Sequence, residues 1–221
     1  MKKYITVAGN IGVGKSTLVD MICRRIGFQP FFEPVTENPY LVDFYANMNA
    51  WSFHSQIFFL THRIRLHQQL TLTQGSVIQD RSIYEDAEIF ARNLFLQGRM
   101  DERDYQTYHA LYETMTDFLL APDLVIYLRA SVPTLISRIK SRDRSYEQTM
   151  PEGYLEQLNT LYESWIEHFT FCPVLMVPAD SLDFVKHPRH LDLIISKVQE
   201  KLTGKDEVIF HPDEVNQEFN E

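Results

Sequence analysis

The chain has 221 residues, 44% of them apolar and 23% charged, which is enough for one sizeable core and suits a single α/β domain. Its 21 basic and 30 acidic residues give a net charge of -9, which argues against nucleic acid as a partner and requires an anionic substrate to be met by local arginines. No apolar stretch approaches the roughly 18 residues that span a bilayer. Cys23 and Cys172 match no metal motif, so two reduced, largely buried thiols are expected, with no catalytic role for either.

In chain order, the apolar run Tyr4 to Ala8 reads as a buried strand, and the loop Gly9-Asn10-Ile11-Gly12-Val13-Gly14-Lys15-Ser16 behind it fits G-x-x-x-x-G-K-[ST]. In that context the pattern is a phosphate cradle more than an ordinary glycine turn. Backbone N–H groups wrap the phosphates, Lys15 reaches the terminal ones, and the Ser16 hydroxyl holds Mg²⁺. Because the loop starts at residue 9, no room is expected for a signal peptide, and a cytoplasmic enzyme is the default. A helix runs from Ser16 and Thr17 to about Ile26, burying Leu18, Met21 and Ile22 and stopping at Gly27. The second strand is Gln29 to Glu33. A long helix spans Trp51 to about Leu72, and the third strand is Ser76 to Asp80. Helices Asp86 to Leu96 and Glu102 to Leu120 flank the turn Gln97-Gly98-Arg99, and strands Leu124 to Leu128 and Val174 to Val177 complete the set. Apolar runs alternating with amphipathic stretches predict βαβ units and a five-stranded parallel sheet. The domain is placed at residues 1–203. Residues 204–221 carry six acids, one lysine and little periodicity, and a loosely ordered tail is expected there.

Parallel sheets bind ligands beyond the carboxyl ends of their strands, and charged residues close two of these. Glu33, held out of helical geometry by Pro34, is the candidate base for an acceptor hydroxyl. Asp80 is a candidate partner of Mg²⁺ and Arg81 a stabiliser of transferring charge; the plainer alternative is a helix cap and a surface ion pair. After strand four, Arg138 and Arg142 share a helix face and Arg144 lies just beyond it, a spacing that suits a mobile arginine-rich lid closing over ATP phosphates, although basic runs are often solvated faces.

These motifs, in this order, resemble the deoxyribonucleoside kinases, in particular the bacterial deoxyadenosine and deoxyguanosine kinases and the animal deoxycytidine and deoxyguanosine kinases. The resemblance covers residues 4 to about 202. It rests on the phosphate loop, Glu33-Pro34-Val35, Trp51-Ser52-Phe53 with Gln56, Asp80-Arg81-Ser82 with Asp86, and the Arg138 to Glu147 lid. It implies a P-loop kinase fold, ATP as donor with Mg²⁺, and a homodimer. It also implies roles. Gln56 pairs with the base edge, Arg63 and Asp86 form a polar pair deep in the base pocket, and Phe90 stacks on the base. Tyr45 and Glu147 grip the sugar 3′-hydroxyl and Glu33 takes the 5′-hydroxyl. Because thymidine-preferring relatives tend to be apolar or small at the Arg63 and Asp86 positions, deoxyadenosine is the first expectation, with deoxyguanosine and deoxycytidine close behind. Several relatives carry Glu where this chain has the shorter Asp80, so a water can intervene in its metal contact. The loop Ser181-Leu182-Asp183-Phe184 stands where the family holds the donor adenine.

Two other readings remain open on the sequence: a thymidylate-type monophosphate kinase, and a nucleotide-dependent switch. The first needs a basic grip near Glu33, where Phe31, Phe32 and Val35 offer none; the second usually carries an Asn-Lys-x-Asp run, which is missing. His54, His62 and His67 share a helix at spacings that do not converge on a metal, and Tyr105, Tyr108 and Tyr112 read as a packed face.

Overall fold

The computed structural model describes residues 2–32, 37–142, 151–205 and 208–216. Five parallel strands, β1 (Tyr4–Gly9), β2 (Gln29–Phe31), β3 (Val77–Asp80), β4 (Leu124–Arg129) and β5 (Val174–Pro178), lie in the order β2-β3-β1-β4-β5. β1 is central and every one of its residues is buried, as expected for a strand covered on both faces. Alternation along the strands sends Ile5, Val7, Ile126 and Leu128 to one face, where helices α1 (Lys15–Ile26) and α9 (Pro188–Leu202) bring Leu18, Ile22, Ile194 and Val198. The opposite face carries Ala8, Val125 and Tyr127 against Leu158 and Tyr162 of α8 (Glu152–His168).

α1 stops at Gly27, whose φ of 76° closes the helix through its N–H to the Cys23 carbonyl at 2.9 Å. Met21, expected inside, is only half-buried, and Val19 and Cys23 take the inner face with Leu18 and Ile22. β2 ends at Phe31, short of the expected Glu33; Glu33 lies outside the described residues. Short helix α2 (Leu41–Ala46) precedes α3 (Met48–Leu72), which begins three residues earlier than the sequence suggests because the Asn47 side chain accepts from Ala50 N. The inward stripe of α3 is largely polar: Ser52, Ser55, Gln56, Arg63 and His67 are buried alongside Leu60 and Leu70. A helix that turns such a stripe inward serves a site as much as a core.

After β3 the chain enters α4 (Ile83–Glu85), widens into a π-helical segment (Asp86–Ala91), and returns to α5 (Arg92–Leu96). The helix expected from Asp86 thus starts three residues early, at a capping box between Ser82 and Glu85. α6 (Glu102–Thr116) is capped by Asp101 and buries Tyr108 and Tyr112, and α7 (Val132–Ser141) lies over the phosphate loop. Beyond Gly204, Val208 joins the core, and α10 (Pro212–Asn216) carries Glu214 to Lys197 at 2.8 Å. That part of the acidic segment is packed on the domain. Cys23 is buried and Cys172 half-buried, and burial pushes each thiol up to about 12. The three helix histidines have local work: His54 packs among Tyr40 and Trp51, His62 stacks on Phe58, and His67 accepts from Leu120 N at 3.0 Å.

Candidate active site

The phosphate loop leaves the end of β1 and folds on itself before α1. Lys15 is buried and donates to the carbonyls of Gly9 and Asn10 at 2.8 and 3.0 Å, which aims its ammonium across the mouth of the loop. Gly12 has φ +83°, and a Cβ there would stand 2.6 Å from Ile139 of α7. Only glycine fits where α7 presses on the loop.

β3 delivers its charged end beside this loop. Ser16 Oγ donates to Asp80 Oδ2 at 2.5 Å, and Asp80 Oδ1 is buried with no hydrogen-bond partner among the described residues. A hydroxyl oxygen and a carboxylate with one idle buried oxygen form a hard-donor set of the kind Mg²⁺ takes, so these two residues fit the ion. Arg81 follows with φ 66°, the one positive φ outside glycine among the described residues. Its N–H reaches the Val7 carbonyl at 3.0 Å, and its guanidinium lies 4.2 Å over the Phe90 ring.

Arg63 reaches this turn from α3. Its Nε and Nη2 meet the two oxygens of Asp86 at 3.0 and 3.4 Å, and its Nη1 donates to the carbonyls of Asp80 and Arg81 at 3.0 and 2.8 Å. The expected pair is therefore present, buried, and joined to the backbone of Arg81. Gln56 is buried on the same face of α3, seven residues before Arg63. Tyr45 packs beside Phe44 on α2, next to Leu94 and Met100.

A model of the family described as deoxynucleoside kinase matches residues 5–203. The chain belongs to that family. It is 40% identical over 196 residues to the deoxyadenosine/deoxycytidine kinase of Bacillus subtilis (strain 168), covering 88% of this chain and 90% of that protein. It is 35% identical to the deoxyguanosine kinase of the same organism, covering 89% and 96%. Among solved structures, deoxyadenosine kinase from M. mycoides with the products dCMP and a flexible dCDP bound superimposes with a TM-score of 0.80 at 36% identity, covering 89% of this chain and 99% of that one. The same enzyme with bound dATP gives 0.79 at 35% identity over the same shares. These matches decide for the nucleoside kinase over the thymidylate-type kinase and the switch.

In this kinase a cavity of about 920 Å³ opens beside the phosphate loop, lined by Thr17, Arg138, Arg142, Phe184 and Lys186 among others. Two of its wall residues have partners within the chain. Arg138, expected as a lid arginine over phosphates, donates through Nη1 and Nη2 to the carbonyls of Val13 and Ala179 at 2.7 and 2.8 Å, clamping the loop to the end of β5. Asp183 accepts from Val185 N and Lys186 N at 3.2 and 3.0 Å, folding its own turn, while Phe184 presents its ring 3.3 Å from where a Cβ on Gly14 would sit. Asn10 ties the loop to α8: its Oδ1 accepts from Ile11 N at 2.7 Å while its Nδ2 donates to Leu155 O and Asn159 Oδ1 at 3.0 and 2.7 Å. Arg144 and Glu147 lie outside the described residues. Sequence reasoning passed over Glu85, which is fully buried at the centre of the site; the Ser82-x-x-Glu85 capping pattern was the signal that could have found it.

Proposed function

We propose that this enzyme transfers the γ-phosphoryl group of ATP to the 5′-hydroxyl of a purine or cytosine deoxynucleoside, with deoxyadenosine favoured. The observation that carries the base preference is the buried Arg63–Asp86 pair, a polar, hydrogen-bonding floor that Arg63 also ties to the carbonyls of Asp80 and Arg81 at the end of β3. Adenine, guanine and cytosine each carry an exocyclic amino group that a carboxylate such as Asp86 can accept from, and thymine carries none. The relatives that act on deoxyadenosine, deoxycytidine and deoxyguanosine support the reading.

The 5′-oxygen attacks the γ-phosphorus as the bond to the β-bridging oxygen breaks, ADP leaves, and the hydroxyl proton passes to Glu33. Lys15 and Arg81, with Arg142 and Arg144 from the lid, spread the charge of a loose transition state. Arg138 holds the loop for them. Gln56 takes the base edge and Phe90, one face already under Arg81, offers the other to the base; Tyr45 and Glu147 hold the sugar. Mg²⁺, held by Ser16 and Asp80, would neutralise the β- and γ-phosphate oxygens. Phe184 and the backbone of Gly9 to Thr17 hold the donor. Exposed apolar side chains at Leu111 on α6 and at Phe118 and Leu120 beyond it offer a face for a second copy, as a homodimer requires. No helix among the described residues is long and apolar enough to cross a membrane, and we place the enzyme in the cytoplasm.

Initial rates with Mg²⁺ and ATP across deoxyadenosine, deoxyguanosine, deoxycytidine and thymidine, with thymidine monophosphate as an added acceptor, test the proposal. Turnover led by one of the first three supports it; a preference for thymidine or its monophosphate overturns it.

A further inference from the structure

The carboxylate of Glu85 is fully buried, and among the described residues it accepts four hydrogen bonds from donors on three separate segments. Oε1 accepts from Gly9 N at 3.2 Å and from the Tyr162 hydroxyl at 2.8 Å; Oε2 accepts from Ser82 N at 2.8 Å and Ser82 Oγ at 3.3 Å. Burying a carboxylate among neutral donors is unfavourable unless every lone pair is used. A cap for the three-residue helix α4 needs no charge, and Gly9 and Tyr162 are no part of a cap. Tyr162 itself stays protonated and able to donate, because burial, joined by the Glu85 carboxylate, raises it far above the ordinary phenol range.

What these contacts surround is Arg81. Its left-handed backbone, unusual for a side chain of that size, is gripped on both sides: Arg63 holds the carbonyls of Asp80 and Arg81, and Glu85 holds the next N–H, that of Ser82. Through its other oxygen Glu85 ties the same turn to Gly9, where the phosphate loop begins. A strained conformation of this kind persists only when its surroundings over-determine it. We infer that Glu85 is a positioning residue for phosphoryl transfer, a strut that sets the height of the Arg81 guanidinium relative to the phosphate loop.

The inference rests on the charge-stabilising role proposed for Arg81, and the test separates the two. An amide at position 85 would turn an NH2 toward either the Ser82 or the Gly9 donor, so Glu85→Gln should loosen the strut while keeping its size. Expected is a fall in kcat of roughly 10- to 100-fold, the scale of a small misplacement of a reacting group, with deoxynucleoside KM within about twofold of wild type. In an Arg81→Ala background, read by single-turnover kinetics, the same change should cost less than about twofold more, since the group it positions is gone. Losses that multiply in the double variant, or that fall on KM alone, overturn the inference and leave the role of Arg81 standing. Wild-type kcat in Arg81→Ala removes that role and the inference with it. If Glu85→Gln does not fold, Tyr162→Phe loosens one oxygen of the strut; its kcat loss, expected at about two- to fivefold, must vanish in the Arg81→Ala background, and persistence there overturns the inference equally.

Discussion

Deleting the Arg63 guanidinium should harm the fold more than deleting it together with its partner. The two side chains are 2% and 4% exposed. Breaking one partner of a buried pair costs about 3–5 kcal/mol, because the remaining charge stays in a poorly solvated site. Arg63→Met also takes a donor from the carbonyls of Asp80 and Arg81, at about 1 kcal/mol or more each. The sum, about 5–7 kcal/mol, rivals the whole stability of an ordinary domain, about 5–15 kcal/mol. Asp86→Leu alone leaves the guanidinium without its carboxylate and costs about 3–5 kcal/mol on the same ground. The double variant keeps only the carbonyl part, about 2 kcal/mol. A coupling of at least about 3 kcal/mol between the two sites follows. Urea unfolding followed by tryptophan fluorescence measures it, since Trp165 packs against the cluster that includes Ala87, next to Asp86. Additivity within about 0.5 kcal/mol would refute the reasoning, because distant or well-solvated charges behave that way. In the double variant the base ranking should also move toward thymidine; an unchanged ranking would take the pair out of the base pocket.

Glu33→Gln should retain deoxynucleoside binding, seen as ligand-induced thermal stabilisation, while kcat falls by roughly 10²- to 10⁴-fold; near-wild-type turnover would remove Glu33 from the base role. Gly12→Ala puts a methyl group against Ile139 and a side chain at φ +83°, costs that together come to about 2–6 kcal/mol, so Tm should drop by several degrees and ATP KM rise, whereas an unchanged Tm would mean that α7 does not press on the loop. Burial holds the His67 imidazole below its ordinary 6.5. The unfolded chain therefore takes up a proton that the folded chain resists as pH falls below about 6.5, and stability declines there. His67→Gln should flatten that part of the stability curve, and a wild-type slope in the variant would assign it to other groups.

The parts of this site readable from sequence are those whose residues are neighbours in the chain. The phosphate loop, the Asp80-Arg81 end of β3 and the Gly27 stop of α1 each need only a few consecutive side chains and a fixed backbone geometry, and each stands where the residues put it. The Arg63 and Asp86 pair, 23 residues apart, came through resemblance and met in the structure. Arg138 shows what spacing leaves out. Its helix face was legible, but the carbonyls that occupy it lie 125 and 41 residues away, at Val13 and Ala179. Nothing local marks a guanidinium for partners so far along the chain.

Glu85 sharpens the point. The sequence around it spells a capping box, and a cap is what it forms with Ser82. Its second oxygen bonds Gly9, 76 residues away, and Tyr162, 77 away on the other side, so the property that matters for chemistry exists only once β1, β3 and α8 have packed together. The π-helical widening directly after it has the same origin. No residue between Asp86 and Ala91 demands an extra residue per turn, and such widenings are a feature of functional sites. Here the widened turn carries Asp86 to Arg63 and Phe90 beneath Arg81 within a single segment. Where local pattern and long-range contact assign a residue two jobs, the second is the one that a kinetic experiment, and not a stability measurement alone, is able to separate.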